Sequence, residues 1–162
     1  MHPVNDIDAL LLLATAQASK RRPAELADIV AAVEFLQPAL PTANKLAETL
    51  ERLSRHGLLV ESDGGLALTS AAQRMIADQP RKAETAERLF GIRQHLAAYA
   101  SRGDHSPVIV ALELLTAAIT EYRAAAQGTA KNLLGPKPKP DGDKQRPGQR
   151  QRKPLPARRR KD

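Results

Sequence analysis

The sequence predicts a mainly α-helical protein with one short β-hairpin. Three observations carry that expectation. Apolar residues recur at helical spacing from the N-terminus to about residue 126. The stretch 58–68 has Asp63-Gly64-Gly65 near its centre, and Asp-Gly between apolar runs marks a tight turn because those residues tolerate positive φ. Aromatics are only 2% of a chain that is 42% hydrophobic, so burial falls to Leu, Ile, Val and Ala, which favours helix packing.

Asp6 is the expected N-cap of a first helix, with Ile7, Leu10, Leu11 and Ala14 as one buried stripe. Pro23 suits the first turn of a second helix, which buries Leu26, Ile29, Val30, Val33 and Leu36. Pro38 and Pro41 end it. Thr42 caps a third helix with Ala43, Leu46, Ala47, Leu50 and Leu53 inward, and Gly57 stands where a helix C-cap is expected. Strands over 58–61 and 66–68 flank a turn at 62–65, and Thr69 or Ser70 caps a fourth helix over about 71–77.

Two longer helices follow, over about 82–100 and 107–126. In the first, Leu89, Ile92, Leu96 and Tyr99 step by 3 and 4; in the second, Val108, Leu112, Leu115, Ile119 and Tyr122 do the same. With Ser106 as N-cap, Pro107 in the first turn and Gly128 as the stop, they read as an antiparallel helical hairpin. Its seam offers Leu112, Leu115, Ile119 and Tyr122 to a second copy as a homodimer contact, or packs within the chain. The expected organisation is thus 1–80, 81–135 and a tail, 136–162.

The net charge of +7 belongs to that tail. Residues 136–162 hold 11 of the 25 Lys/Arg and three of the 18 acids, a net +8, so the other 135 residues sum to −1. With six prolines and only Leu155 and Ala157 apolar, the tail is expected to be disordered. There is no cysteine, which excludes disulfides and thiolate chemistry and suits a reducing compartment. Acids rather than Lys or Arg precede the first apolar run, unlike a secretory signal, and no segment approaches a membrane span. A cytoplasmic location is expected.

Residues 42–76, "TANKLAETLERLSRHGLLVESDGGLALTSAAQRMI", resemble the second half of a winged-helix (winged helix-turn-helix) domain. The likeness lies in Leu50, Leu53, Gly57 and Leu58, in the short wing, and in the "LTSAAQRM" return to helix. It spans about residues 5–78 and extends to small uncharacterised bacterial winged-helix proteins. The resemblance implies DNA binding, with the third helix in the major groove and the wing on the backbone.

On that reading the third helix presents Asn44, Lys45, Arg52 and Arg55 to DNA, as base readers and phosphate contacts. Glu48–Arg52 and Glu51–Arg55 at i,i+4 equally suit a solvated helix, and the wing offers only Glu61 and Asp63. Lys20, Arg21 and Arg22 can meet phosphates or stand as a solvated loop. Arg150, Arg152, Lys153, Arg158, Arg159, Arg160 and Lys161 in the tail attract any polyanion. The competing expectation is a protein-interaction module with the tail as tether, favoured by the neutral body. Catalysis is not expected: Asp104-His105-Ser106 are adjacent in a connector, where a triad would need convergence in space. The four histidines follow no metal-binding spacing, so neither metal nor cofactor is expected.

Overall fold

The computed structural model describes residues 4–101 and 103–133. Among these residues, six helices and a two-stranded sheet run in the order α1 (Asp6–Ala18), α2 (Leu26–Leu36), α3 (Ala43–Arg55), β1 (Leu59–Ser62), β2 (Gly65–Leu68), α4 (Ser70–Ala77), α5 (Thr85–Ala98) and α6 (Leu112–Leu133). No described helix is long and apolar enough to cross a membrane. The expected tail, 136–162, lies outside the described residues.

The centre of the molecule is α1. Every residue from Asp8 to Thr15 is buried, so the helix has no solvent face in its middle. An α-helix apolar on all sides must be surrounded. Here α2, α3, α4, α5 and β2 all pack against it. The single stripe expected for this helix understated it: Leu12 and Leu13, off that stripe, are fully buried. Its N-cap is Asn5, not Asp6, and the Asn5 backbone N–H donates to the Asp8 carboxylate at 2.7 Å.

The third helix stops as the sequence suggests. Gly57 adopts φ +70°. Its N–H donates to Ser54 O at 2.9 Å, and Leu58 N–H reaches back to Leu53 O at 3.0 Å. Those two bonds form a Schellman closure, with Leu53 and Leu58 both fully buried beneath it. The chain then enters an antiparallel ladder pairing Leu59 with Leu68 and Ser62 with Gly65. Asp63 and Gly64, both at positive φ, make the two-residue turn. Ala24 exchanges two 2.8 Å backbone hydrogen bonds with Leu66, so the hairpin is anchored on the α1–α2 connection. Pro23 therefore lies in this bridge segment, and α2 begins later than expected.

The last two helices do not form the expected antiparallel hairpin. α5 packs on α1 and α4, whereas α6 packs on α2 and α3. Ile92 and Leu96 on the one, Leu115 and Ile119 on the other, join the same core as the first four helices. α6 also begins five residues later than expected, at Leu112. Val108, Ile109 and Val110 are β-branched and resist helix entry, and the Val108 N–H is engaged by Ser54 Oγ at 2.7 Å. Nor does Gly128 end α6, which runs on to Leu133; one glycine in an exposed helix costs only about 1 kcal/mol.

Residues 103–111 thus strap the C-terminal end of α3. A Cβ on Gly57 would stand 2.3 Å from His105 Nε2, so the strap closes over the glycine. Gly57→Ala should lower stability by at least about 2 kcal/mol, from the left-handed backbone plus displacement of the His105 ring. Gly64→Ala, with open space around it, should cost only about 1 kcal/mol. Urea midpoints of both variants check this, and His105→Ala should recover part of the Gly57→Ala loss but none of the Gly64→Ala loss.

Candidate nucleic-acid interface

The outer arc of α3 carries Asn44, Lys45, Glu48, Glu51 and Arg55, while Leu46, Leu50 and Leu53 fill the core side. Asn44 and Lys45 are exposed in the first turn, just after Thr42, whose hydroxyl accepts from Lys45 N–H at 3.5 Å. Arg55 is held by the Glu51 carboxylate, one turn earlier on the same helix.

Arg52 is committed elsewhere. It turns toward α1 and grips the fully buried Asp8 carboxylate, with Nε to Oδ1 at 3.1 Å and a second bond from Nη2 to the same oxygen. The i,i+4 pairing of Arg52 with Glu48 is replaced by this contact. Turned so that its oxygen faces the guanidinium, the Asn5 amide also accepts from Arg52 at 3.1 and 3.2 Å. A carboxylate taken out of water needs such partners, because an unpaired buried charge is costly.

Of the basic triplet at the α1–α2 corner, Arg22 is likewise engaged. It bonds Glu25, and reaches Asp28 at 2.9 Å. Its pKa is raised, first by the hydrogen bond to Glu25 and then by the charges of Glu25 and Asp28. Lys20 and Arg21 are exposed, and neither forms an ion pair among the described residues. The hairpin tip presents exposed Glu61 and Asp63 and no cation. Arg150, Arg152, Lys153, Arg158, Arg159, Arg160 and Lys161 lie outside the described residues.

The proposed dimer seam is largely used inside the chain. Leu115 and Ile119 are 2% and 8% exposed, and Tyr122 is half-buried. Only Leu112 of that set is open to solvent, beside exposed Ile109 and Leu114. Ile109 and Leu114 border a cleft of about 260 Å³ between the hairpin and the strap, lined also by Ala24, Leu66, Val108 and Val110. Among the described residues no group of His, Cys, Asp or Glu is placed to hold a metal ion.

Two residues that matter here were not singled out from sequence. Asp8 stands at the head of the apolar run, between Ile7 and Ala9, a position that carries a charge into the core once the helix is enclosed. Phe35 falls off the apolar stripe of α2, and it is 83% exposed. Comparison with family models, curated proteins and solved structures returns no match, so function has to be argued from these side chains.

Two outcomes follow from the Asp8 environment. Arg52→Ala strands a buried carboxylate and should cost about 3 kcal/mol or more. Adding Asp8→Ala should recover part of that loss, which a double-mutant cycle in urea would measure. Nearby, His56 is held below its usual pKa of 6.5, first by burial and also by the Arg52 cation. The unfolded chain therefore takes up this proton before the folded one. The stability so conferred is present above about pH 6.5 and is lost as pH falls through the lower folded value. His56→Gln should flatten the fall in Tm on acidification, read by thermal melts from about pH 7.5 to 5.

Proposed function

We propose that this chain is a cytoplasmic winged-helix nucleic-acid-binding protein that holds its target chiefly through sequence-independent phosphate contacts. The order of three helices, hairpin and fourth helix supports the winged-helix reading, as does the Ala24–Leu66 bridge tying the hairpin to the α1–α2 connection. One observation carries the mode of binding: net positive charge is segregated. The first 135 residues sum to −1, with Arg22, Arg52, Arg55 and Arg93 engaged by carboxylates, whereas residues 136–162 carry a net +8. Attraction to a polyanion then comes from the C-terminal segment, through counterion release. Asn44 and Lys45 are left as the α3 residues able to touch DNA, too few to read a site of useful length.

A second reading is favoured by a separate observation. The apolar cleft between hairpin and strap, flanked by Ile109 and Leu114, suits a protein partner, and the acidic hairpin tip repels phosphate. In this alternative the body docks a protein and the C-terminal segment tethers the pair to nucleic acid. A stoichiometric protein partner retained after nuclease treatment, and lost on Ile109→Asp, would favour it.

Gel shifts of the full chain across a salt series test the first reading. Replacing Arg158, Arg159, Arg160 and Lys161 together by Gln should weaken low-salt binding and reduce the steepness of log K against log salt by up to about 3.6. Asn44→Ala should change affinity little and equally for unrelated duplexes. A wild-type chain that binds no nucleic acid at low salt would overturn the proposal.

A further inference from the structure

Only two phenylalanines occur in the sequence, and neither is in the core: Phe35 is 83% and Phe90 59% exposed. Isolated exposed apolar side chains are ordinary. Phe35 differs in its setting. It borders an open groove of about 600 Å³ at the α1–α2 corner, shared with Lys20, Arg21, Ala31 and Ala32. Asp28, Ala31, Ala32 and Phe35 lie at i, i+3, i+4 and i+7, so they form one face of α2. The alanines leave the groove floor low beside an unpacked ring. Asp28 is already engaged by Arg22, so Lys20 and Arg21 dominate the remaining charge along the edge.

We infer that this corner is a single-strand nucleic-acid site, in which a base stacks on Phe35 while adjoining phosphates lie against Lys20 and Arg21. The inference rests on the nucleic-acid reading above and gives the folded body a target of its own. An exposed aromatic ring next to free cations is the pairing that single strands require, since an unstacked base offers a π-face and its backbone offers charge. A duplex keeps its bases stacked on each other and cannot use the ring. The site lies on the α1–α2 corner rather than on the α3 arc, where arginines are engaged internally.

The chain has no tryptophan, so Phe35→Trp places a single tryptophan at the site, excited apart from Tyr99 and Tyr122, without disturbing a core contact. Titration with an oligothymidylate of about 12 nucleotides should quench that emission, and a duplex of equal length should quench it much less. Phe90→Trp, on α5, serves as the control: attraction through the C-terminal segment alone would not quench Phe35→Trp selectively. Phe35→Ala should weaken single-strand binding about tenfold while leaving duplex binding unchanged. Lys20→Gln with Arg21→Gln should weaken single-strand binding and lower its salt dependence. If gel shifts show a complex yet Phe35→Trp emission is unmoved, or moves equally with duplex, the inference fails while the tail-driven reading stands. Absence of any complex at low salt would remove both.

Discussion

A helix without a polar face has to be enclosed, and α1 imposes that requirement on the whole chain. Its middle turns are packed with leucine, so water must be excluded on all sides. Enclosure carries Asp8 inside with the leucines. A carboxylate at that depth is tolerable only with a cation and further hydrogen bonds, and Arg52 on α3 provides the cation. A core requirement thereby reaches the surface: the arginine that would have been the central positive charge of the α3 arc points inward. With Arg55 engaged by Glu51, the arc carries little free positive potential, although the whole chain is basic.

The same requirement explains where α5 and α6 go. Each has one apolar stripe and would be satisfied by any apolar surface of the right width. α1, α2, α3 and α4 leave such surfaces open, and burying Ile92, Leu96, Leu115 and Ile119 there completes the core. A helix pair packed only on itself would have left α1 partly wet. The strap between them is drawn tight by two local contacts, the Val108 N–H on Ser54 and the His105 ring over Gly57. Both lie at the point where α3 turns into the hairpin, so the α3 terminus, the sheet and α6 are mechanically joined.

What was legible in the sequence was local. The α3 stripe, the Thr42 cap, the Gly57 stop and the Asp63-Gly64 turn each depend on residues within a few positions of each other, and each stands where expected. The Glu51–Arg55 pair is legible for the same reason. Asp8 and Arg52 are 44 positions apart, and no spacing rule links them. The helical hairpin was misjudged because a one-sided stripe gives the direction of burial without the identity of the cover. The late start of α6 had a visible cause, three β-branched residues after Pro107, but the heptad-like spacing of Val108, Leu112 and Leu115 outweighed it. For the candidate interface, residue types were readable and their commitments were not: whether an arginine is free depends on which carboxylate the fold brings beside it.

This division of charge bears on how any selectivity could arise. On the proposed reading, counterion release would draw the protein to every polyanion with similar strength and distinguish none of them. The first 135 residues, which sum to −1, add little to that term. Discrimination must then come from contacts that are not long-range: the Asn44 amide, the apolar cleft beside Ile109, or the Phe35 ring. Of these, Asn44 alone reads at most a single base edge, and the cleft has an acidic rim at Glu61. On the inference drawn above, Phe35 is the contact whose chemistry would separate one class of polyanion from another, since stacking requires an accessible base and not merely a phosphate. A fold that commits Arg52 to its core and leaves both phenylalanines exposed would, on the proposed reading, place discrimination in surface contacts more than in charge.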